Sequence, residues 1–143
     1  HIIAEKGIAR TFQNIRLFGE LTVYENIDFF CGLYIDDIKM RRKHVEEALE
    51  FVELKEFRNY YPKKLSGGLL RRLNIACGIA HKPKLIILDE PTRNLSPLSQ
   101  DVIHTMLKSY RGAIVCVTHD RALIEEVFDS VYEFTKEGFV ELD

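Results

Sequence analysis

The chain has 143 residues, a formal net charge of −2 and an apolar fraction of 46%. That length fits one domain with a sizeable core, and the charge excludes a nucleic-acid binder driven by bulk electrostatics, leaving only local basic patches. No apolar run approaches the ~18 residues of a membrane span and no signal peptide opens the chain, so any membrane association is expected through a partner.

In chain order, His1-Ile2-Ile3-Ala4 reads as the interior of a longer polypeptide. Gly7 to Phe12 alternates enough for a short strand that leads to Gln13-Asn14. Taken alone, Gln13 is an ordinary polar loop residue. Thr22 is placed to cap a helix whose Val23, Ile27 and Phe30 share a face, with Glu25 in its first turn. Asp36-Asp37 breaks that pattern, and a second helix, from about Met40 to Leu54, turns Val45, Ala48, Leu49 and Val52 inward. Its Arg41-Arg42-Lys43 run reads as a solvated face rather than a nucleic-acid patch. Glu56 to Tyr61 predicts a short helix stopped by Pro62.

Leu65-Ser66-Gly67-Gly68 follows, with Ser66 placed to cap a helix from Leu69 to about Ala80. A helix start of this kind presents unpaired N–H groups and positive dipole charge, which suits a phosphate. Pro83 ends that segment. Leu85-Ile86-Ile87-Leu88-Asp89-Glu90 is then a β-rich apolar run ending in two acids, the layout of a buried parallel strand. Of two such acids, one can hold Mg²⁺ while its neighbour orients a water. Pro91-Thr92 forces a turn. Asp101 to Tyr110 predicts a helix with Val102, Met106 and Leu107 inward, and Ala113 to Thr118 a second buried strand ending at His119. A lone histidine after a strand is usually structural. Arg121 to Phe128 (helix), Ser130 to Thr135 (strand) and Phe139 to Leu142 (strand) complete the chain, the last two joined as a hairpin at Lys136-Glu137-Gly138. Cys31, Cys77 and Cys116 stand far apart among apolar residues and read as buried, reduced thiols.

The order and spacing of these stretches resemble the nucleotide-binding domain of ATP-binding-cassette (ABC) transporters over nearly the whole chain. Leu65, Ser66, Gly67 and Gly68 look like its signature motif, Leu85 to Glu90 its Walker B strand, Leu95-Ser96 its D-loop, His119 its switch histidine and Gln13 its Q-loop. The resemblance implies an α/β fold: an incomplete P-loop (RecA-like) parallel-sheet core with an inserted α-helical signature subdomain. Residues 1–19 would be the Q-loop strand and loop of the core, 20–82 the helical subdomain, and 83–143 the Walker B, D-loop and switch-histidine part. It also implies roles. Asp89 and Gln13 would hold Mg²⁺, Glu90 would act as base on the attacking water, and His119 would secure the γ-phosphate. The signature would cover ATP held by a second nucleotide-binding domain, and Gln13 would link the site to a membrane permease on the cytoplasmic face.

Two departures stand out: Leu69 where relatives carry a polar residue, and Ser96 where most carry an aspartate, which weakens the expected coupling across a dimer. The opening resembles branched-chain amino-acid importers, the middle drug and polysaccharide exporters, and the end the ribosome-associated ABC-F translation and antibiotic-resistance ATPases. An ABC-F factor, which would contact nucleic acid, is one alternative. A natural fragment, mosaic or engineered chain without enzymatic activity is another.

No window fits Gly-x-x-x-x-Gly-Lys-[Ser/Thr], the phosphate cradle that would precede residue 1 in such relatives. Each charge-assisted hydrogen bond is worth ~1.5–3 kcal/mol, so losing three costs on the order of 5 kcal/mol, roughly several thousandfold in affinity. The isolated chain is therefore predicted inactive. The strand carrying that loop would lie between those at 113–118 and 130–135, so we expect the 130–135 strand to close up against 113–118, or another segment or chain to fill the slot.

Overall fold

The computed structural model describes residues 8–11, as backbone, and 16–142. Three parallel strands form one sheet in the order β1 (Ile8–Thr11), β2 (Leu85–Asp89) and β3 (Ala113–Val117). Ile8 is paired with Leu85, and Leu85 in turn with Ala113. β2 is the central strand, and its Ile86 and Leu88 are buried. Between β1 and β2 the chain builds three helices, α1 (Val23–Gly32), α2 (Ile38–Phe51) and α3 (Gly67–Ile79). Between β2 and β3 lies α4 (Pro97–Ser109), and after β3 come α5 (Arg121–Val127) and the hairpin β4 (Val131–Thr135) and β5 (Gly138–Leu142).

The helices begin where side chains satisfy their first N–H groups. At α1 the box is complete: Thr22 Oγ1 accepts from Glu25 N–H at 3.3 Å, and the Glu25 carboxylate accepts from Thr22 N–H at 2.7 Å. Those bonds from Thr22 hold the Glu25 carboxyl below its ordinary range. Asp37 caps α2 through Met40 N–H at 2.7 Å, which moves its start two residues ahead of the expected one. α1 packs on both α2 and α3, and α3 on β1. Their shared core holds Val23, Ile27, Cys31, Val45, Leu49 and Leu73, all fully buried. Full burial of one such leucine or isoleucine is worth ~1.5–3 kcal/mol, which is what keeps short helices in register here.

In the Arg41–Lys43 run, Arg42 and Lys43 are exposed and Arg41 is half-buried. Arg41 Nε contacts Asp28 of α1 at 3.1 Å, and Lys43 lies 3.9 Å from Glu47. Exposed pairs of this sort stabilise little; they set side-chain geometry.

Several expectations need correction. The segment after α2 is a single 3-10 turn, Lys55–Phe57, rather than a helix reaching Tyr61. β3 is not a buried strand: Val115 and Val117 are 52% and 59% exposed, because nothing among the described residues covers their face. Cys116 on the other face is only half-buried. The expected closure of the 130–135 strand onto 113–118 is not formed. Among the described residues β4 pairs with β5 alone, and β3 with β2 alone, so the outer edge of β3 has no strand partner. A two-residue turn into Gly138, at φ +122°, makes the expected β4–β5 hairpin cheap in loop closure, and the other edge of β4 has no strand partner among the described residues.

Candidate functional site

The carboxyl ends of β2 and β3 bring together two side chains that are 29 residues apart. Glu90 leaves β2 with φ +45°, a left-handed conformation unusual for a non-glycine residue. Its N–H donates to the Val117 carbonyl at 2.8 Å, so the backbone is held by β3 while the chain turns away. His119 N–H donates to Glu90 Oε2 at 3.4 Å, and His119 Nε2 lies 3.5 Å from Glu90 Oε1. The imidazole is 95% exposed and the carboxylate 13%. An acid anchored in the wall thus faces a ring free to reach a ligand. Glu90, Thr92, Arg93, Gln100, His119 and Asp120 line an open cleft of about 510 Å³ there. Asp89, the last residue of β2, is exposed next to it.

Behind the cleft, Asp120 gathers several bonds. One of its oxygens accepts from Thr92 Oγ1 at 2.8 Å and lies 2.9 Å from His104 Nε2; the other accepts from Leu123 N–H at 3.1 Å, capping α5. Burial pushes the Asp120 carboxyl up, but the bonds from His104, Thr92 and the Leu123 amide outweigh it, and the group sits below its ordinary value. Cys116 has the opposite fate. Its partial burial, and then the charges of Glu90, Asp89 and Asp120, push the thiol up to about 12, which leaves it inert beside the cleft.

The Leu65–Gly68 stretch lies elsewhere. Leu65 belongs to the core, while Ser66 and Gly67 are exposed at the start of α3. Ser66 Oγ accepts from Leu69 N–H at 3.3 Å, as its position implied. Gly68 is buried against the first turn of α4: a β-carbon there would lie 2.4 Å from Ser99 Oγ. Ser96, at the head of the same helix, accepts from Ser99 N–H at 3.4 Å and donates its hydroxyl to Ser99 Oγ at 3.1 Å. The Leu65–Gly68 and Leu95–Ser96 stretches are therefore neighbours, with α3 packed on α4. None of Leu65 to Gly68 lines the Glu90–His119 cleft. Gln13 lies outside the described residues.

A family profile described as ABC transporter matches residues 2–93. The chain belongs to the ABC transporter family. Among curated ABC relatives, the high-affinity branched-chain amino acid transport ATP-binding protein BraF of Pseudomonas aeruginosa is 34% identical over 92% of this chain and 59% of its own length. The methionine import ATP-binding protein MetN 1 of Enterococcus faecalis is 35% identical over 88% of this chain and 36% of its own. The dimeric structure of MJ0796, a bacterial ABC transporter cassette, superposes with a TM-score of 0.74 at 32% identity, over 87% of this chain and 57% of that one. A post-hydrolysis dimer of MJ0796 bound to ADP and Pi gives a TM-score of 0.70 at 33% identity, over 81% of this chain and 53% of that one. The chain thus spans between 36% and 59% of the length of these relatives. The fold is the α/β one of ABC cassettes.

Within this ABC cassette chain, sequence reasoning missed Thr92, Ser99, His104 and Asp120, and also Asn26. Asn26 is fully buried in α1; its Oδ1 accepts from Phe18 N–H at 2.8 Å, and its Nδ2 lies 3.0 Å from the Phe18 and Leu21 carbonyls. It fastens residues 18–22 to the helix. Two signals were available: Asp120 stands where an N-cap belongs, and His104 falls on the inward face defined by Ile103 and Leu107.

Proposed function

We propose that this chain supplies the water-activating and lid-forming parts of an ATP-hydrolysing cassette that drives an ABC transporter. The observation that carries the reading is the 3.5 Å approach of His119 to Glu90 at the carboxyl edge of the parallel sheet. In this reading Glu90 accepts a proton from the attacking water, while His119, exposed and hinged at the end of β3, donates to a γ-phosphate oxygen. The substrate is ATP. Among the described residues no group of three or more His, Cys, Asp or Glu could hold a metal. Asp89 nevertheless fits Mg²⁺ as an exposed oxygen donor, since that ion takes one or two carboxylates and completes its shell with waters and phosphate oxygens. Gln13 is the second donor we assign to it. When bound, the ion neutralises charge on the phosphates.

Ser66 and Gly67, exposed with the cap of α3, are suited to cover a triphosphate held by a second cassette, with Leu65 and Gly68 anchoring them. Leu95 and Ser96 lie beside them, so a dimer contact at one is felt at the other. The dimers formed by the cassette MJ0796 support such an arrangement. The names of the relatives, transport and import ATP-binding proteins, support a membrane permease as the further partner and the cytoplasmic face as the location. We assign residues 1–19 and 83–143 to the core and 20–82 to the helical, permease-facing part.

No window of the sequence fits a phosphate cradle, so the isolated chain is expected not to turn ATP over. The test therefore uses the longer protein. Glu90→Gln there abolishes steady-state ATP hydrolysis while ATP still binds. Unchanged turnover would remove Glu90 as the base.

A further inference from the structure

We propose that His104 is a positioning residue of the Glu90–His119 cleft, fixing the two loops that carry those side chains relative to each other. The inference rests on reading that cleft as the catalytic one. His104 sits on the inward face of α4 between Ile103 and Met106, and its side chain is 6% exposed. A polar ring is costly in such a place, and a leucine would fill the volume at no desolvation cost. The ring is instead used on both sides: Nε2 lies 2.9 Å from Asp120 Oδ2 and Nδ1 3.3 Å from Glu126 Oε2. A doubly protonated ring donates to both acids, a neutral one to a single acid.

The same Asp120 oxygen accepts from Thr92 Oγ1 at 2.8 Å. Asp120 directly follows His119, and Thr92 lies two residues past Glu90. One atom therefore ties α4, the turn after β2 and the loop after β3. Gln100, one turn earlier on α4, donates from Nε2 to the Thr92 carbonyl at 3.3 Å, so this helix grips the turn after β2 at a second point. The loop after β3 has no second side-chain hydrogen bond to α4 among the described residues, so beside the packing of α5 on α4 it is His104 that registers this loop, and with it the Thr92–Asp120 bond, on that helix.

The experiment measures coupling rather than stability. In isotope-labelled chain, Glu90→Gln perturbs the NMR shifts of the His119 ring, and the size of that perturbation reports how well the two groups face each other. In a His104→Leu background the perturbation shrinks by roughly half or more. The Leu123 amide, held by Asp120, exchanges about tenfold faster, as expected for one weakened charge-assisted hydrogen bond. His104→Gln, which keeps a donor, restores part of both. If His104→Leu does not fold, Glu126→Gln, on a half-exposed residue, lowers the perturbation in the same direction but less. An undiminished perturbation in His104→Leu, or in Glu126→Gln if only that variant folds, overturns the proposal. If Glu90→Gln leaves the His119 ring unmoved in the otherwise native chain, the cleft reading itself fails and the proposal falls with it.

Discussion

Gly68 and Ser99 approach so closely that a β-carbon on the glycine would sit 2.4 Å from the serine hydroxyl and 2.9 Å from its own Cβ. The contact joins the heads of α3 and α4, two helices whose starts carry the Ser66 and Ser96 caps. It gives the glycine pair in this sequence two separate physical roles. Gly67 faces open space, where a side chain would meet nothing of this chain. Gly68 is where two helix ends are allowed to touch.

The first prediction follows directly. An alanine normally stabilises a helix by ~0.5–1 kcal/mol over glycine, whereas overlap in a packed contact costs ~1–3 kcal/mol. Gly68→Ala should therefore destabilise the chain in urea titrations. In a Ser99→Gly background the sign should reverse, because both clashing atoms are gone. The same destabilisation in both backgrounds would show that the contact is not the cause.

Asn26 makes the second case. It is fully buried, and its amide serves the Phe18, Leu21 and Thr22 carbonyls while its oxygen serves Phe18 N–H. Asn26→Leu keeps the bulk but takes away the side-chain partner of Phe18 N–H and of the Leu21 carbonyl, at ~1–3 kcal/mol for each that water cannot reach, while the Phe18 and Thr22 carbonyls keep the backbone N–H groups of Leu21 and residue 26. A loss of about 2 kcal/mol or more is expected, with faster exchange of the Phe18 amide. A neutral substitution would mean that residues 18–22 hold their shape without it.

Asp120 sets a pH dependence. Its folded-state value lies below the ordinary 3.8 because hydrogen bonds from His104, Thr92 and Leu123 outweigh burial. A depressed carboxyl contributes stability that is present above the unfolded value and lost as pH falls through the folded one. The stability gap between the native chain and Asp120→Asn should thus be flat at neutral pH and narrow below about pH 4. A gap that widens on acidification would contradict the assignment.

The uncovered side of the sheet yields the last prediction. Val115 and Val117 of β3 and Phe134 and Phe139 of the hairpin are all more than half exposed, and among the described residues the outer edge of β3 has no strand partner. Such a surface favours association. The chain should show concentration-dependent light scattering, and Val115→Lys should reduce it without lowering the urea midpoint. Equal scattering from both chains would mean that association runs through another face.

Much of the site was legible because it rests on local chemistry. Ser66 and Thr22 cap where a hydroxyl precedes an apolar-periodic run, and Asp89-Glu90 ends an apolar strand. What escaped was whatever depends on two distant segments meeting. Ser99 gains importance only because Gly68 lies against it. His104 looked like one more residue of an amphipathic helix until Asp120 and Glu126 were placed at its two nitrogens. The β4–β5 hairpin was legible because its turn is local, whereas the expected closure of β4 onto β3, which is not formed among the described residues, depends on two strands separated by α5.

The sequence by itself determined the order of strands and helices, the caps that start them and the acids and histidine available for chemistry. Each of these depends on neighbours within a few residues or on periodicity along one element. The tertiary structure decided which of those groups face one another: Glu90 with His119, Gly68 with Ser99, and Asp120 with His104 and Thr92. It also decided which face of β3 is left uncovered among the described residues. Those outcomes depend on three-dimensional approach, set by the parallel register of β2 with β3 and by the packing of α4 against α3 and α5, and no spacing along the chain encodes them directly.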